Sequence, residues 1–269
     1  MKKNKPILPR RRAMTSEQAR EVRRSGHADA KEFASLIGLP SDYQNDPNAK
    51  KDVIDLAGDA HSVKSGANKW QIFLHPSSRF EKDMIFRRLN GLGQLFLDCL
   101  AVFPDKFEEY KQNKIFYKDR LKKSMQKLKE RLQNEETLRV FLEKSFFNAG
   151  EVTYLTIKHN NCFNVFHSDD AVKVLADGIN VENSKGEQKV IFKIKNINAK
   201  TLKNFPLVTI GEIEMRNDSK IHFKEMKFWM SKDRTFELLK NNISPVKEVK
   251  SRLFVYGKAI KIFRKYECG

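Results

Sequence analysis

The chain is short of acids, of cysteines and of long apolar runs, and each shortage removes a class of protein. Asp and Glu number 34 against 52 Lys and Arg, which leaves a formal charge of +18. Such an excess favours a polyanionic partner: nucleic acid, an anionic membrane or a ribosome. The three cysteines, Cys99, Cys162 and Cys268, are widely separated. They exclude a disulfide scaffold and show no zinc-ligand spacing, so the expected setting is a reducing cytoplasm. No segment approaches the roughly 18 consecutive apolar residues that a membrane span needs. The N-terminus has the basic part of a signal peptide without its apolar run. No solenoid-period repeat, Walker glycine loop, HNH-type His-Asn cluster or Ser-His-Asp order is visible.

What remains is enough for a folded protein. A chain of 269 residues with 40% hydrophobic content and 20 phenylalanines can bury a substantial core, as one large domain or two small ones. Residues 1–14 carry Lys2, Lys3, Lys5, Arg10, Arg11 and Arg12. This is an extended basic arm, suited to lie along DNA phosphates or to enter a minor groove, or else a solubilising tail. Thr15 or Ser16 is placed to cap a helix running through Arg24. A second helix is expected over 28–38, with Phe33, Leu36 and Ile37 as its apolar stripe. A polar loop follows at 39–50.

Residues 51–74 are the most informative stretch. They read as a β-hairpin with Gly58 near its turn, followed by the strand Trp70–Leu74. Alternation along a strand puts Ser62 and Lys64 on one face, and the hairpin can bring Asp52 beside them. The nearly all-apolar run Trp70-Gln71-Ile72-Phe73-Leu74 predicts a central strand covered on both faces, with Gln71 buried and in need of a partner. Next comes a helical pattern over 78–103, expected as one core helix, then charged helices over 105–148. The basic run at 111–131 reads as a solvated face or as a phosphate-contacting one. Composition shifts near Gly150. The remainder predicts short strands at Val152–Ile157, Phe163–Phe166, Val172–Leu175, Lys189–Ile197, Leu207–Met215 and His222–Trp229. A short helix at 233–242 and one or two strands at 251–265 complete the chain.

The spacing Asp52 … Ser62-Val63-Lys64 resembles the active site of the PD-(D/E)XK nuclease superfamily, and of type II restriction endonucleases in particular. The family pattern is an Asp at the head of one strand and acid-X-Lys on the next. Serine stands here in place of the second acid, as in those family members that recruit a carboxylate from elsewhere. The resemblance covers about residues 25–100. It implies an α/β (α+β) fold, a restriction-endonuclease-like mixed sheet flanked by helices, with a β-rich C-terminal half. The organisation it implies is a basic arm and helix at 1–24, a nuclease core with helical extension at 25–150, and a β-rich region at 151–269 for DNA recognition or completion of the core.

The implied activity is Mg²⁺-dependent, site-specific hydrolysis of duplex DNA. Asp52 is the metal ligand, Lys64 orients or deprotonates the attacking water and contacts the phosphate, and Ser62 is a weak ligand at most. For the missing carboxylate, Glu32, Asp55 and Glu81 stand as alternatives. Gln71 is a candidate DNA contact, together with Lys2, Lys3, Arg10, Arg11 and Arg12. A homodimer is expected on a palindromic target, with a cognate DNA methyltransferase in the same system. Two other functions fit the charge equally: a non-catalytic nucleic-acid-binding protein, and a non-specific or repair nuclease of the same superfamily. Glu212 and Glu214 form either a second metal site or a salt-bridged strand near Arg216. His61 and His75 read as structural groups or phosphate contacts.

Overall fold

Among the residues described by the computed structural model, 16–40, 52–66, 69–88, 91–195 and 208–263, the apolar pattern resolves into a mixed α/β architecture with two sheets. The basic arm, with Lys2, Lys3, Arg10, Arg11 and Arg12, and the loop at 41–51 lie outside those residues. The chain enters through one helix, α1 (Ser16–Leu36), where two were expected. Ala30, Phe33, Ala34 and Ile37 fall on one face at helical spacing and are buried. That packing holds the helix together across Gly26, an intrinsically poor helix residue.

Strands β1 (Val53–Ile54) and β2 (Ala60–Lys64) form the expected hairpin, with Val53 opposite His61 and Ile54 opposite Ala60. Asp55 closes the turn. Its Oδ1 accepts the N–H groups of Ala57 and Asp59, both at 2.9 Å. The next strand, β3 (Lys69–His75), leaves that sheet altogether and pairs antiparallel with β9 (Glu225–Ser231). It is therefore an edge strand of the second sheet and not a central one. A register shift between Gln71 and Phe73 lets both Trp70 and Phe73 turn inward, although strict alternation would separate them. Gln71 is exposed, which removes the expected buried amide.

The run 78–103 divides into α2 (Ser77–Lys82), α3 (Met84–Arg88) and α4 (Leu92–Ala101). Asp83 makes the first break. Its N–H closes α2 on Arg79, and its Oδ1 accepts the N–H groups of Ile85 and Phe86 at the start of α3. Gly91, at φ 78°, makes the second. A Cβ on Gly93 would lie 2.4 Å from the Phe86 carbonyl oxygen, so helix α4 can approach α3 only with glycine there. Helices α5 (Phe107–Gln112), α6 (Lys114–Leu132) and α7 (Glu135–Phe147) follow. In α6, Tyr117, Leu121, Met125, Leu128 and Leu132 face the core, and the basic run turns outward.

The remaining elements are β4 (Tyr154–His159), β5 (Cys162–His167), α8 (Ser168–Gly178), β6 (Ile179–Asn183), β7 (Lys189–Ile194), β8 (Thr209–Arg216), α9 (Lys232–Asn242), β10 (Val246–Lys250), β11 (Leu253–Tyr256) and α10 (Ala259–Phe263). Val172–Leu175 is helical, not a strand. The His167 ring caps the helix through the Asp169 N–H, and Ala171, Leu175 and Ala176 are buried at helical spacing. The last described residues form a β10–β11 hairpin followed by a short helix, where only strands were expected.

The first sheet has the order β1-β2-β4-β5-β11-β10, with β2 parallel to β4 and β5 parallel to β11. The second is antiparallel, in the order β3-β9-β8-β7-β6. Both sheets draw strands from either side of Gly150. A larger core joins them through α2 to α9, and a smaller core lies between α1 and the other face of the first sheet. Replacing Gly93 by Ala is expected to cost about 1–3 kcal/mol, because the Phe86 backbone has to move. Urea unfolding of the two proteins measures this; an unchanged midpoint would show that the α3–α4 contact is loose.

Candidate active site

Alternation on β2 separates two sets of side chains. His61 and Val63 face α1. Ser62 and Lys64 face the larger core, where they line a cavity of about 580 Å³ together with His75, Arg79, Lys82, Asp83, Lys144, Ser145 and Asn148. Asp52 lies one residue before β1, and its N–H donates to the His61 carbonyl at 3.1 Å, so the register of β1 and β2 does not continue to pair it with Ser62. Its side chain ties it to β2: Oδ2 accepts the Val63 N–H at 2.8 Å. The structure thus brings Asp52 beside β2 at the open end of the hairpin, while Ser62 and Lys64, and not Asp52, line the cavity.

None of the three candidate acids lines the cavity. Glu32 stands on α1, across the first sheet from Lys64. Lys158 and Arg252 both bond it, and the Lys158 hydrogen bond leads in holding its carboxyl below the usual range. Asp55 is buried beside His61, with Oδ2 3.3 Å from Nε2. Burial alone would raise its carboxyl, but the His61 contact and the turn N–H groups outweigh that and lower it. The other His61 nitrogen, Nδ1, is 3.0 Å from Thr156 Oγ1. Burial pushes the His61 pKa down, so this His–Asp pair holds a neutral imidazole inside the sheet. Both acids are spent on structure. The third, Glu81, is exposed on α2 and does not line the cavity.

The cavity's own carboxylate is Asp83, two residues further on. Its Oδ2 lies 2.9 Å from Lys144 Nζ and 3.7 Å from Arg79. The Lys144 side chain is only 5% exposed and also donates to Asn148 Oδ1 at 3.0 Å. Burial would raise the Asp83 carboxyl; the Lys144 ammonium and the α3 N–H groups outweigh it and keep the group ionised. His75 stacks on Phe73, and burial lowers its pKa to about 4, so it adds no charge at neutral pH. Among the described residues, four cations, Lys64, Arg79, Lys82 and Lys144, therefore share the cavity with one carboxylate that is already engaged. Such a site suits a phosphate.

Among the described residues, no group of three or more His, Cys, Asp and Glu side chains is arranged to hold a metal ion. The Asp52 carboxylate and the Ser62 hydroxyl are a smaller donor set. Mg²⁺ accepts such a set when substrate phosphate and water supply its other ligands. Glu212 and Glu214 do not form a second metal site. Lys189 bonds both, at 3.0 and 2.5 Å, and Lys227 reaches Glu214. The strand is salt-bridged, through Lys189 and not Arg216, which pairs with Asp218.

Sequence reasoning missed Arg79, Asp83 and Lys144. One signal was present: Lys144 interrupts the apolar run Phe141-Leu142 … Phe146-Phe147 on a helix, which marks a lysine forced toward the core. No protein-family model, no curated protein and no solved structure matches this chain.

Acid should weaken the fold through the two buried imidazoles. His75 and His61 have folded pKa values below the unfolded value near 6.5, so the unfolded chain binds more protons in that window. Stability is full above pH 6.5 and falls as the pH drops toward 4. For His75 a loss of about 1 kcal/mol at pH 5 is expected, allowing for its partial exposure. Urea midpoints at pH 7 and pH 5 test this: His75→Leu should narrow the difference, and an equal difference in both proteins would remove His75 from the account.

Proposed function

We propose that the protein is a Mg²⁺-dependent endodeoxyribonuclease of the PD-(D/E)XK kind, cutting duplex DNA at a specific sequence as a type II restriction enzyme does. One observation carries this reading. Ser62 and Lys64 reach from one strand into a cation-lined cavity, and Asp52, just before β1, bonds the backbone of that strand at Val63. A mixed sheet with α1 against one face and the cavity on the other is compatible with the fold that the resemblance implies. The net charge of +18 supports a nucleic-acid substrate.

Each residue then has a role its position allows. When bound, Mg²⁺ supplies a Lewis acid for the scissile phosphate and makes its own water more acidic. Asp52 and Ser62 would hold it. Lys64 lies two residues along the same face, where its ammonium contacts a non-bridging phosphate oxygen and orients the attacking water. Arg79, Lys82 and Lys144 counter the charge of the strand. The outward cations of α6 offer a second surface for backbone phosphates. A homodimer on DNA would supply two Asp52–Lys64 sites for the two strands; one protomer per duplex by light scattering would instead favour sequential nicking. The excess of cations over available carboxylates in the cavity favours a second reading, a non-catalytic nucleic-acid-binding protein.

Plasmid incubated with the purified protein separates these readings. Discrete fragments that require Mg²⁺ are expected, whereas a gel shift without cutting would establish the non-catalytic reading. Lys64→Ala and Asp52→Ala should each lower the cleavage rate by about 10²–10⁴-fold while retaining DNA binding. Glu81→Gln should cut within about twofold of wild type, as expected of an exposed surface carboxylate. Full activity in Asp52→Ala would remove the hairpin from the mechanism.

A further inference from the structure

The floor of the same cavity carries more hydrogen-bonding capacity than the protein uses. Lys144 and Arg79 both direct their charge at a single oxygen, Asp83 Oδ2. An ammonium has three N–H donors, and Lys144 commits two of them, to Asp83 and Asn148. Arg79 Nε and Ser145 Oγ are both buried, and neither has a hydrogen-bond partner among the described residues. Unpaired buried donors are costly. Here they belong to residues that line one cavity, beside two cations.

We propose that Arg79, Lys144 and Ser145 form a second phosphoryl-binding subsite, separate from the Lys64 position, that takes a phosphate of the nucleic-acid strand. The choice of nucleic acid rests on the nuclease reading; the phosphoryl chemistry rests on the donors themselves. A phosphoryl group offers several acceptor oxygens at once. One can meet the third Lys144 proton, another the Arg79 guanidinium, and a third the Ser145 hydroxyl. Asp83 cannot fill this role, because its own lone pairs are taken up by the α3 N–H groups and the two cations. It instead fixes the cations in place before the strand arrives, so the subsite is built in advance. Lys64 enters the cavity from β2 and Lys144 from α7, so the strand is gripped from two elements.

The test uses inorganic phosphate as the probe, followed by ³¹P line broadening, in EDTA so that no metal takes part. Wild type should broaden the phosphate signal. Arg79→Gln and Ser145→Ala should weaken binding about tenfold each, the size of one hydrogen bond to a charged group. Asp52→Ala, on the hairpin side, should bind phosphate as wild type does. Both subsite variants keep the Asp83–Lys144 pair, and circular dichroism checks their fold. Absence of broadening in wild type, or broadening in both variants equal to that of wild type, would overturn the subsite.

Duplexes with and without a 5′-phosphate identify the source. A preference for the phosphorylated end that both variants lose assigns a terminal phosphate. Equal affinities that fall in both variants assign an internal one. Mg²⁺-dependent cutting by proteins whose phosphate binding ignores Arg79 and Ser145 would reject the subsite alone. Phosphate binding that needs both residues, in a protein that never cuts, would reject the nuclease reading and leave the subsite standing.

Discussion

The site depends on the short connection between Lys64 and Lys69. Consecutive strands usually pair with each other; here β2 ends in one sheet and β3 begins in the other. Five residue steps can span at most about 18 Å, so the two sheets are held close at this point whatever the other elements do. The Trp70 indole N–H donates to the Ser65 carbonyl at 3.1 Å and fixes the crossing. Because β3 diverges, the face of β2 that carries Ser62 and Lys64 is not covered by the next strand. The cavity opens in the angle between them, and α2, α3 and α7 close its other sides.

Placing Lys144 at the bottom of that cavity has an energetic cost that the local structure offsets. An ammonium removed from water requires a charge partner and satisfied donors. Asp83 supplies the charge and Asn148 a second acceptor. A hydrophobic pair of similar volume would serve stability as well or better, so stability alone does not account for an ion pair in this place. Asp83 also caps α3, which ties the charge pair to the break between α2 and α3. The backbone irregularity and the buried charge are one feature: a continuous helix over 78–103 would have no residue to turn a carboxylate toward Lys144.

This explains what the sequence discloses and what it hides. The β1–β2 hairpin, the common face of Ser62 and Lys64, α9 and most strands after Gly150 follow from local pattern and turn chemistry, which act over a few residues. The placement of β3 does not. An apolar run of five residues reads the same whether it is central or at an edge with a bulge, and only the pairing of β3 with β9 decides. Val172–Leu175 fails for a related reason: β-branched residues favour a strand, and the cap at His167 and burial along a helical face prevail. Arg79, Asp83 and Lys144 are distant in sequence and converge only in the fold. Glu32 and Asp55 are legible as acids near the hairpin, but their partners, Lys158 and His61, take them for structure.

The charge distribution has a last consequence for how the proposed activity would be controlled. With Asp52 as its carboxylate at the hairpin, the protein alone offers Mg²⁺ few ligands, and the phosphate strand supplies others. Metal and DNA then assist each other, and linkage requires the assistance to be equal in both directions. The surrounding cations sharpen the effect. Lys64, Arg79, Lys82 and Lys144 repel a free divalent ion until a phosphate backbone neutralises them. A second carboxylate in place of Ser62 would relieve that repulsion and let the metal bind first. Under the proposed activity, serine at this position would make the assembled site a property of the complex with DNA and would restrict hydrolysis to the moment when a strand occupies the cavity.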